Sequence, residues 1–175
     1  MSYEIEKIDY KNKEIFYKKL LEEFKNYTGN YWFTNLSQCA ALIFDQLPRI
    51  NWVGFYLTVD QTLVLGPYVG KPACTLIHFG RGVCGSSAVE KKSILVHNVD
   101  EFAGHITCDS ASQSEVVIPL IRHGKVVGVL DVDSPELSRF DKNDEQGLSL
   151  IIDYLMSQTE FPISHPCRQI KPQPK

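Results

Sequence analysis

The segment that most constrains the fold is "SEVVIPLIRHGKVVGVLDVDS", residues 114–134. β-Branched residues dominate both of its halves, and the "RHGK" between them contains a glycine of the kind that tight turns favour. The pattern predicts two antiparallel strands joined by a short hairpin. Such a hairpin needs an apolar partner on at least one face, so the rest of the chain must supply further strands or helices.

Other strands are predicted earlier in the chain. "NWVGFYLTV" and "TLVLGPYVG", separated by "DQ", resemble a second hairpin, while "ACTLIHFG" and "SILVHNV" are typical of further strands. Between these two, "GRGVCGSSAVEKK" predicts a tight loop that enters a short helix.

Amphipathic helices are predicted at both ends. "TNLSQCAALIFDQLP" is expected to begin at a capping Thr34, to end at Pro48 and to bury Cys39 as ordinary core. "FDKNDEQGLSLIIDYLMSQ" predicts a closing helix with acids at its N-terminus. The first helix, "KNKEIFYKKLLEEFKNY", is expected to bury Ile15, Phe16, Leu20, Leu21 and Phe24. The order predicts an α+β domain, an antiparallel sheet with helices on one side.

Composition narrows the class of protein. The 175 residues suit one domain, with a formal net charge of −3 and interspersed charges that argue against a nucleic-acid surface or a polybasic membrane patch. No run approaches the roughly 20 apolar residues of a membrane span. Five scattered cysteines, an odd number, fit reduced thiols in the cytoplasm better than a disulfide framework. We expect one domain over residues 1–159 and a flexible, proline-containing basic tail over 160–175.

Carboxylates stand at the start of one central strand and the end of the next. Strand periodicity places Asp131 and Asp133 on one face and Leu130 and Val132 on the other, and Glu115 opens the neighbouring strand. Taken alone, this pattern is more typical of a half-exposed strand with a solvated polar face than of a functional site.

Aromatic and thiol residues form two further candidate groups. Trp52 and Tyr56 share one strand face, either as packing residues or as the wall of a ligand pocket. Cys74, Cys84 and Cys108 lie in or beside predicted loops, either as unrelated thiols or as members of one site.

A family resemblance connects these groups. The segment from Ser114 to Ile151 resembles the C-terminal half of a GAF domain. More narrowly, "NWVGFYL", "LVLGPYVGKPACTLIHFGRGVCG" and "HITCDSASQSEVVIPL" resemble the free methionine-(R)-sulfoxide reductases, a single-domain GAF family, from roughly Tyr31 to Met156. The resemblance implies a GAF-like fold with about six antiparallel strands flanked by N- and C-terminal helices. Because GAF relatives often pair through terminal helices, a homodimer is one expectation.

The resemblance also implies a redox mechanism without a metal or a bound cofactor. Cys108 would attack the sulfur of free methionine-(R)-sulfoxide, release methionine and become a sulfenic acid. Either Cys84 or Cys74 would condense with it, and thioredoxin would reduce the resulting disulfide. These two candidates are left unranked.

Roles for the remaining residues carry over in the same way. Glu115 and Asp133 are expected around the sulfoxide and Asp131 nearer the substrate ammonium, because clustered carboxylates keep one acid protonated. Trp52 and Tyr56 would enclose the S-methyl group. The substrate carboxylate would meet backbone N–H groups of the Cys108 loop or, alternatively, Arg81.

Three rival hypotheses remain at the level of sequence. The strongest is a non-catalytic GAF sensor of a small ligand, acting in trans on another protein. A tetrapyrrole carrier would want a histidine adjacent to its attachment cysteine, and His105 lies three residues before Cys108. A structural zinc site could use Cys74, Cys84 and Cys108 with His78 or His105.

Overall fold

The sheet is the centre of the fold. A computed structural model describes residues 5–104 and 110–160. Six strands form one sheet in the order β3-β2-β1-β6-β5-β4, and each neighbouring pair is antiparallel, as predicted. The strands are β1 (Trp52–Val59), β2 (Thr62–Val69), β3 (Leu76–His78), β4 (Ile94–Val96), β5 (Ser114–Arg122) and β6 (Lys125–Ser134).

The two predicted hairpins form the middle of this sheet. In the β5–β6 turn, His123 and Gly124 have φ angles of 50° and 73°, the left-handed conformation that a two-residue hairpin turn requires. The β1–β2 turn has the same feature at Asp60, with φ of 56°. These turns determine the register, and the register determines which side chains share a face.

Helices cover both faces of the sheet. α2 (Trp32–Gln46) and α4 (Lys142–Gln158) pack against the face that presents Phe55 and Leu130, and α1 (Lys13–Lys25) packs on these two helices in the same core. α3 (Gly82–Glu90) packs against the opposite face, with Val117 and Val129. The expectation that the helices lie on one side is therefore wrong for α3. The second face is also apolar along β1, β5 and β6, and it needs a covering layer of its own.

Two details of the helices differ from the predictions. α2 begins at Trp32, because the carbonyl of Tyr31 accepts a hydrogen bond from the Asn35 amide, so Thr34 lies in the first turn and is not the cap. In α1, Ile15 is half exposed, and Tyr17 is buried instead.

Of the remaining predictions on the organisation of the chain, the structure tests some and leaves one untested. Cys39 is 1% exposed in the core, as expected. Within residues 5–104 and 110–160, no helix is long and apolar enough to cross a membrane. The predicted tail, apart from residue 160, lies outside the described residues.

Candidate active site on the α3 face of the sheet

One row of side chains crosses three strands on the α3 face. In the antiparallel register, Trp52 of β1 lies opposite Asp133 of β6, and Asp133 lies opposite Glu115 of β5. Because neighbouring strands are about 4.8 Å apart, the indole and the two carboxylates are close neighbours. The sequence predicted these residues as one site, and the structure brings them together.

The next row of paired residues across the same three strands begins with a glycine. Gly54 of β1 pairs with Asp131 of β6, which pairs with Val117 of β5. Leu130 and Val132 belong to the opposite core, so the predicted alternation is confirmed. Asp131 is only 8% exposed. The interpretation of this strand face as solvated is therefore wrong, because α3 covers it.

α3 adds a thiol to the carboxylates. Cys84 is 3% exposed, and its Sγ donates to Oε1 of Glu115 at 4.0 Å. One ligand atom each from Cys84, Glu115 and Asp131 lies within 4.8 Å of the others. Gly85 lets α3 pack closely against the end of β3, because a Cβ at this position would overlap the carbonyl oxygen of His78 and lie 3.1 Å from the backbone nitrogen of Gly80.

Burial and mutual repulsion favour the neutral forms of these acids. Burial, and then the charge of Asp133, raise the pKa of Glu115 well above its ordinary value. Burial, and then the charge of Glu115, raise the pKa of Asp131. Burial also raises the pKa of the Cys84 thiol, and Asp131 raises it further. The surroundings therefore favour the protonated form of each of these groups.

Stacked aromatic rings form a wall beside the acids. The ring centroid of Trp52 is 6.0 Å from that of Tyr56 and 5.5 Å from that of Tyr68. A Cβ on Gly54 would lie 2.5 Å from Cη2 of Trp52, so this glycine leaves room for the indole. The sequence analysis missed Tyr68. Its pairing with Gly54 in the predicted β1–β2 hairpin is the signal that could have found it.

The same aromatic residues hold the loop that carries a second cysteine. The Tyr56 hydroxyl donates to the carbonyl of Cys74 at 3.0 Å, and Nε1 of Trp52 donates to the carbonyl of Lys71 at 3.0 Å. Cys74 is disulfide-bonded, whereas Cys39 and Cys84 are free thiols.

The other residues predicted for the site are either exposed or not among the described residues. Cys108 and His105 lie outside the described residues. Arg81 is exposed at the N-cap of α3, and His78 is exposed at the end of β3. In the described part of the chain, the group with metal-ligand spacing is Cys84, Glu115 and Asp131, not the pair Cys74 and Cys84 with His78.

The chain is similar to known proteins of one family. A family model described as "GAF domain" matches residues 34–157. The chain is 43% identical over 143 residues to the free methionine-R-sulfoxide reductase of Escherichia coli, an alignment that covers 81% of this chain and 87% of that protein. The corresponding Saccharomyces cerevisiae enzyme is 40% identical over 147 residues, covering 78% and 82%.

A solved structure supports the same relationship. The crystal structure of free methionine-R-sulfoxide reductase from Neisseria meningitidis, in complex with its substrate, matches with a TM-score of 0.84 and 35% sequence identity. The match covers 90% of this chain and 95% of that one.

Proposed function

Because the chain belongs to the GAF-domain family and, within it, to the free methionine-R-sulfoxide reductases, we propose that it reduces free L-methionine-(R)-S-oxide to L-methionine. The observation that carries this proposal is the buried group of Cys84, Glu115 and Asp131 beside the stacked rings of Trp52 and Tyr56. Acids and an apolar wall are what a zwitterionic sulfoxide with an S-methyl group requires. The preference for the R epimer rests on the relatives alone.

Cys108 is the proposed nucleophile. Its thiolate attacks the sulfoxide sulfur, the S–O bond breaks, and the oxygen is transferred to the cysteine as a sulfenic acid while methionine leaves. The sulfur becomes electrophilic only when its oxygen accepts a proton or a strong hydrogen bond, so the reaction needs an acid in the same pocket.

Glu115 and Asp133 are the proposed partners of the sulfoxide oxygen. They lie opposite each other in the β5–β6 register, and the raised pKa of Glu115 keeps its carboxyl group protonated as a donor. Asp131, one row further along β6, is the proposed partner of the substrate ammonium. Trp52 and Tyr56 pack against the S-methyl group, since aromatic faces suit sulfur and methyl groups.

Cys74 is the resolving cysteine that we favour over Cys84. Cys74 is already in a disulfide, and Cys84 is a free, buried thiol in contact with Glu115. Condensation of the Cys108 sulfenic acid with the Cys74 thiol forms the disulfide and releases water. Thioredoxin, acting in the reducing cytoplasm, then supplies two electrons to regenerate both thiols.

The enclosed site fits the oxidised stage of this cycle. Trp52 and Tyr56 are 3% and 1% exposed, and both hold the 71–74 loop by hydrogen bonds. Reduction of the Cys74 disulfide would release a covalent restraint on that loop, so that the substrate can enter. A methionine sulfoxide within a polypeptide lacks both free charged ends and would leave the buried carboxylates without partners, which favours the free amino acid.

The decisive experiment measures methionine release from the separate R and S epimers, with thioredoxin or dithiothreitol as the reductant. We expect turnover of the R epimer alone, and none with Cys108→Ser. Cys39→Ser is the matched control, because Cys39 is a buried free thiol remote from the acids. A wild-type protein inactive with both reductants would contradict the proposal and would favour the ligand-sensing GAF module.

A single-turnover assay separates the two resolving candidates. Cys74→Ser is expected to release one methionine per chain and then to stop with thioredoxin, because its sulfenic acid finds no resolving thiol. Cys84→Ser is expected to keep thioredoxin-dependent turnover, at a rate altered by the lost contact with Glu115. The reverse pattern would assign the resolving role to Cys84.

A further inference from the structure

Cys84, Glu115 and Asp131 form a three-residue group whose composition the reductase reaction does not fully explain. Each side chain comes from a different element, α3, β5 or β6, and none is more than 8% exposed. In the proposed cycle, Glu115 and Asp131 contact substrate, but Cys84 has no step of its own. A buried free thiol beside two buried carboxylates is a costly arrangement unless it serves some further interaction.

One atom of this group points to a missing ligand. Oδ1 of Asp131 is buried and has no hydrogen-bond partner in the described part of the chain, although the side chain lies against Cys84 and Glu115. Buried carboxylate oxygens almost always accept a hydrogen bond or coordinate a cation. The lack of a partner for this oxygen is a separate observation from the spacing of the three ligand atoms.

We propose that Cys84, Glu115 and Asp131 bind a divalent cation of the zinc class, which blocks the active site until substrate or a chelator displaces it. The predicted inhibition of the enzyme depends on the proposed function, whereas the binding of the cation depends only on these three side chains.

The geometry suits this class of ion. Zn²⁺ takes sulfur at about 2.3 Å and carboxylate oxygen at about 2.1 Å, so a tetrahedral site separates them by about 3.6 Å. The observed distance from Sγ of Cys84 to Oε1 of Glu115 is 4.0 Å, so a shift of a few tenths of an ångström suffices. Three protein ligands also leave a fourth position for water, the pattern of accessible zinc sites.

The ligand set selects among metals. A cysteine ligand favours Zn²⁺, or Co²⁺ as its spectroscopic substitute, over Mg²⁺ and Ca²⁺, which prefer oxygen ligands alone and more of them. One dication would take the place of the protons on the thiol and the carboxyl groups and would compensate the charges of Glu115 and Asp131 together. Since the same carboxylates are proposed to receive the sulfoxide and the ammonium, metal and substrate must exclude each other.

Cobalt titration tests the binding without any turnover. The full-length protein, reduced, freed of metal and kept under inert gas, is titrated with Co²⁺ while the near-ultraviolet thiolate-to-cobalt band is recorded. We expect saturation at one equivalent, loss of the band with Cys84→Ser, and at least about tenfold weaker binding with Asp131→Asn or Glu115→Gln. Cys39→Ser and Cys74→Ser are the matched thiol controls and should keep the band. Circular dichroism establishes that each variant is folded.

Two results would overturn the site. One is a cobalt band that survives Cys84→Ser and is lost with Cys74→Ser. The other is the absence of any thiolate band in the folded wild-type protein.

A second assay separates this inference from the proposed function. Reductase activity is measured in the presence of a chelator and then with added Zn²⁺, and we expect inhibition that higher methionine-(R)-sulfoxide concentrations relieve. Cobalt binding at Cys84 in a protein without reductase activity would support the site and contradict the proposed function. Full activity with the site saturated by Zn²⁺ would contradict the inhibitory role and leave the reductase proposal intact.

Discussion

The two sides of the sheet both bury carboxylates, but they surround them with opposite partners. In the helical layer formed by α1 and α4, the fully buried Asp144 receives Lys13 at 2.6 Å and Arg139 at 3.4 Å. The hydroxyls of Tyr10 and Tyr17 donate to its other oxygen at 2.5 and 2.9 Å. Both oxygens of this carboxylate have cationic or hydroxyl partners, and the side chain ties the N-terminal segment to the start of α4.

On the α3 side, the neighbours of the buried carboxylates are other acids. Glu115 and Asp131 lie against each other, with Cys84 in contact and Asp133 opposite Glu115. Similar burial thus accompanies a structural ion network on one side and, on the other, two acids whose pKa values are raised by burial and by neighbouring acids. Burial alone does not separate a structural carboxylate from a functional one, whereas the charge of its neighbours does.

The largest expected effect is on catalysis at Glu115. Glu115→Gln keeps the shape but removes the proton donor, so kcat for methionine-(R)-sulfoxide should fall by about 10²–10⁴-fold. Its thermal midpoint should stay the same or rise, because one source of repulsion is gone. Glu90→Gln, on the exposed end of α3, is the control. A strongly destabilised Glu115→Gln protein would show that this carboxylate is structural, like Asp144.

Asp144 should behave in the reverse way. Asp144→Ala leaves Lys13 and Arg139 without their shared partner and should lower the free energy of unfolding by about 3–5 kcal/mol. Chemical denaturation measures this loss, and Asp153→Ala, exposed on the same helix, is the control. The protein that remains folded should keep its kcat. A loss of kcat comparable to that of Glu115→Gln would contradict the proposal that Asp144 is structural and Glu115 catalytic.

Gly54 tests the aromatic wall. A methyl group here would displace the Trp52 ring, and overpacking of this kind costs about 1–3 kcal/mol. We expect Gly54→Ala to raise KM more than it lowers kcat, because the S-methyl group loses its packing surface. Gly29→Ala, where the added Cβ meets nothing within 4 Å, is the steric control. Steady-state kinetics with an unchanged KM would exclude Trp52 from substrate binding.

The smallest effect concerns the pH dependence of the Asp144 network. Burial, and then the hydrogen bond to Asp144, raise the pKa of Tyr10 from 10.0 to about 12. Because the folded pKa lies above the unfolded one, the contribution of Tyr10 is complete below pH 10 and is lost as the pH rises towards 12. Urea unfolding should show the difference between wild type and Tyr10→Phe shrinking over this interval. Tyr31→Phe, at an exposed position, should show no such trend.

Local patterns explain which parts of the structure could be predicted. The hairpin over residues 114–134 and the opposite directions of Leu130 and Asp131 follow from strand periodicity and turn chemistry, which involve only neighbouring residues. The shared face of Trp52 and Tyr56 follows in the same way. The same alternation predicted that Asp131 and Asp133 share a face, whereas Glu115 was assigned to their site through the family resemblance. The register places Glu115 opposite Asp133.

Contacts between distant segments could not be predicted from local patterns. Asp144 at the start of α4 was read as an acid favoured by the helix dipole, and its partner Lys13 lies 131 residues away. Likewise, the contact between Cys84 and Glu115 joins residues 31 positions apart. In both contacts, the sequence pattern around one residue contains no information about its distant partner.

The amino-acid sequence by itself determined the elements, the alternation of faces and the family to which the chain belongs, because these depend on residue order over short distances and on recognisable motifs. Only the tertiary structure decided that α3 covers the acidic face, that Asp131 is therefore buried, and that Cys84 joins the carboxylates. Periodicity assigns a side chain to a face of a strand, but the free energy of that side chain depends on what packs over the face.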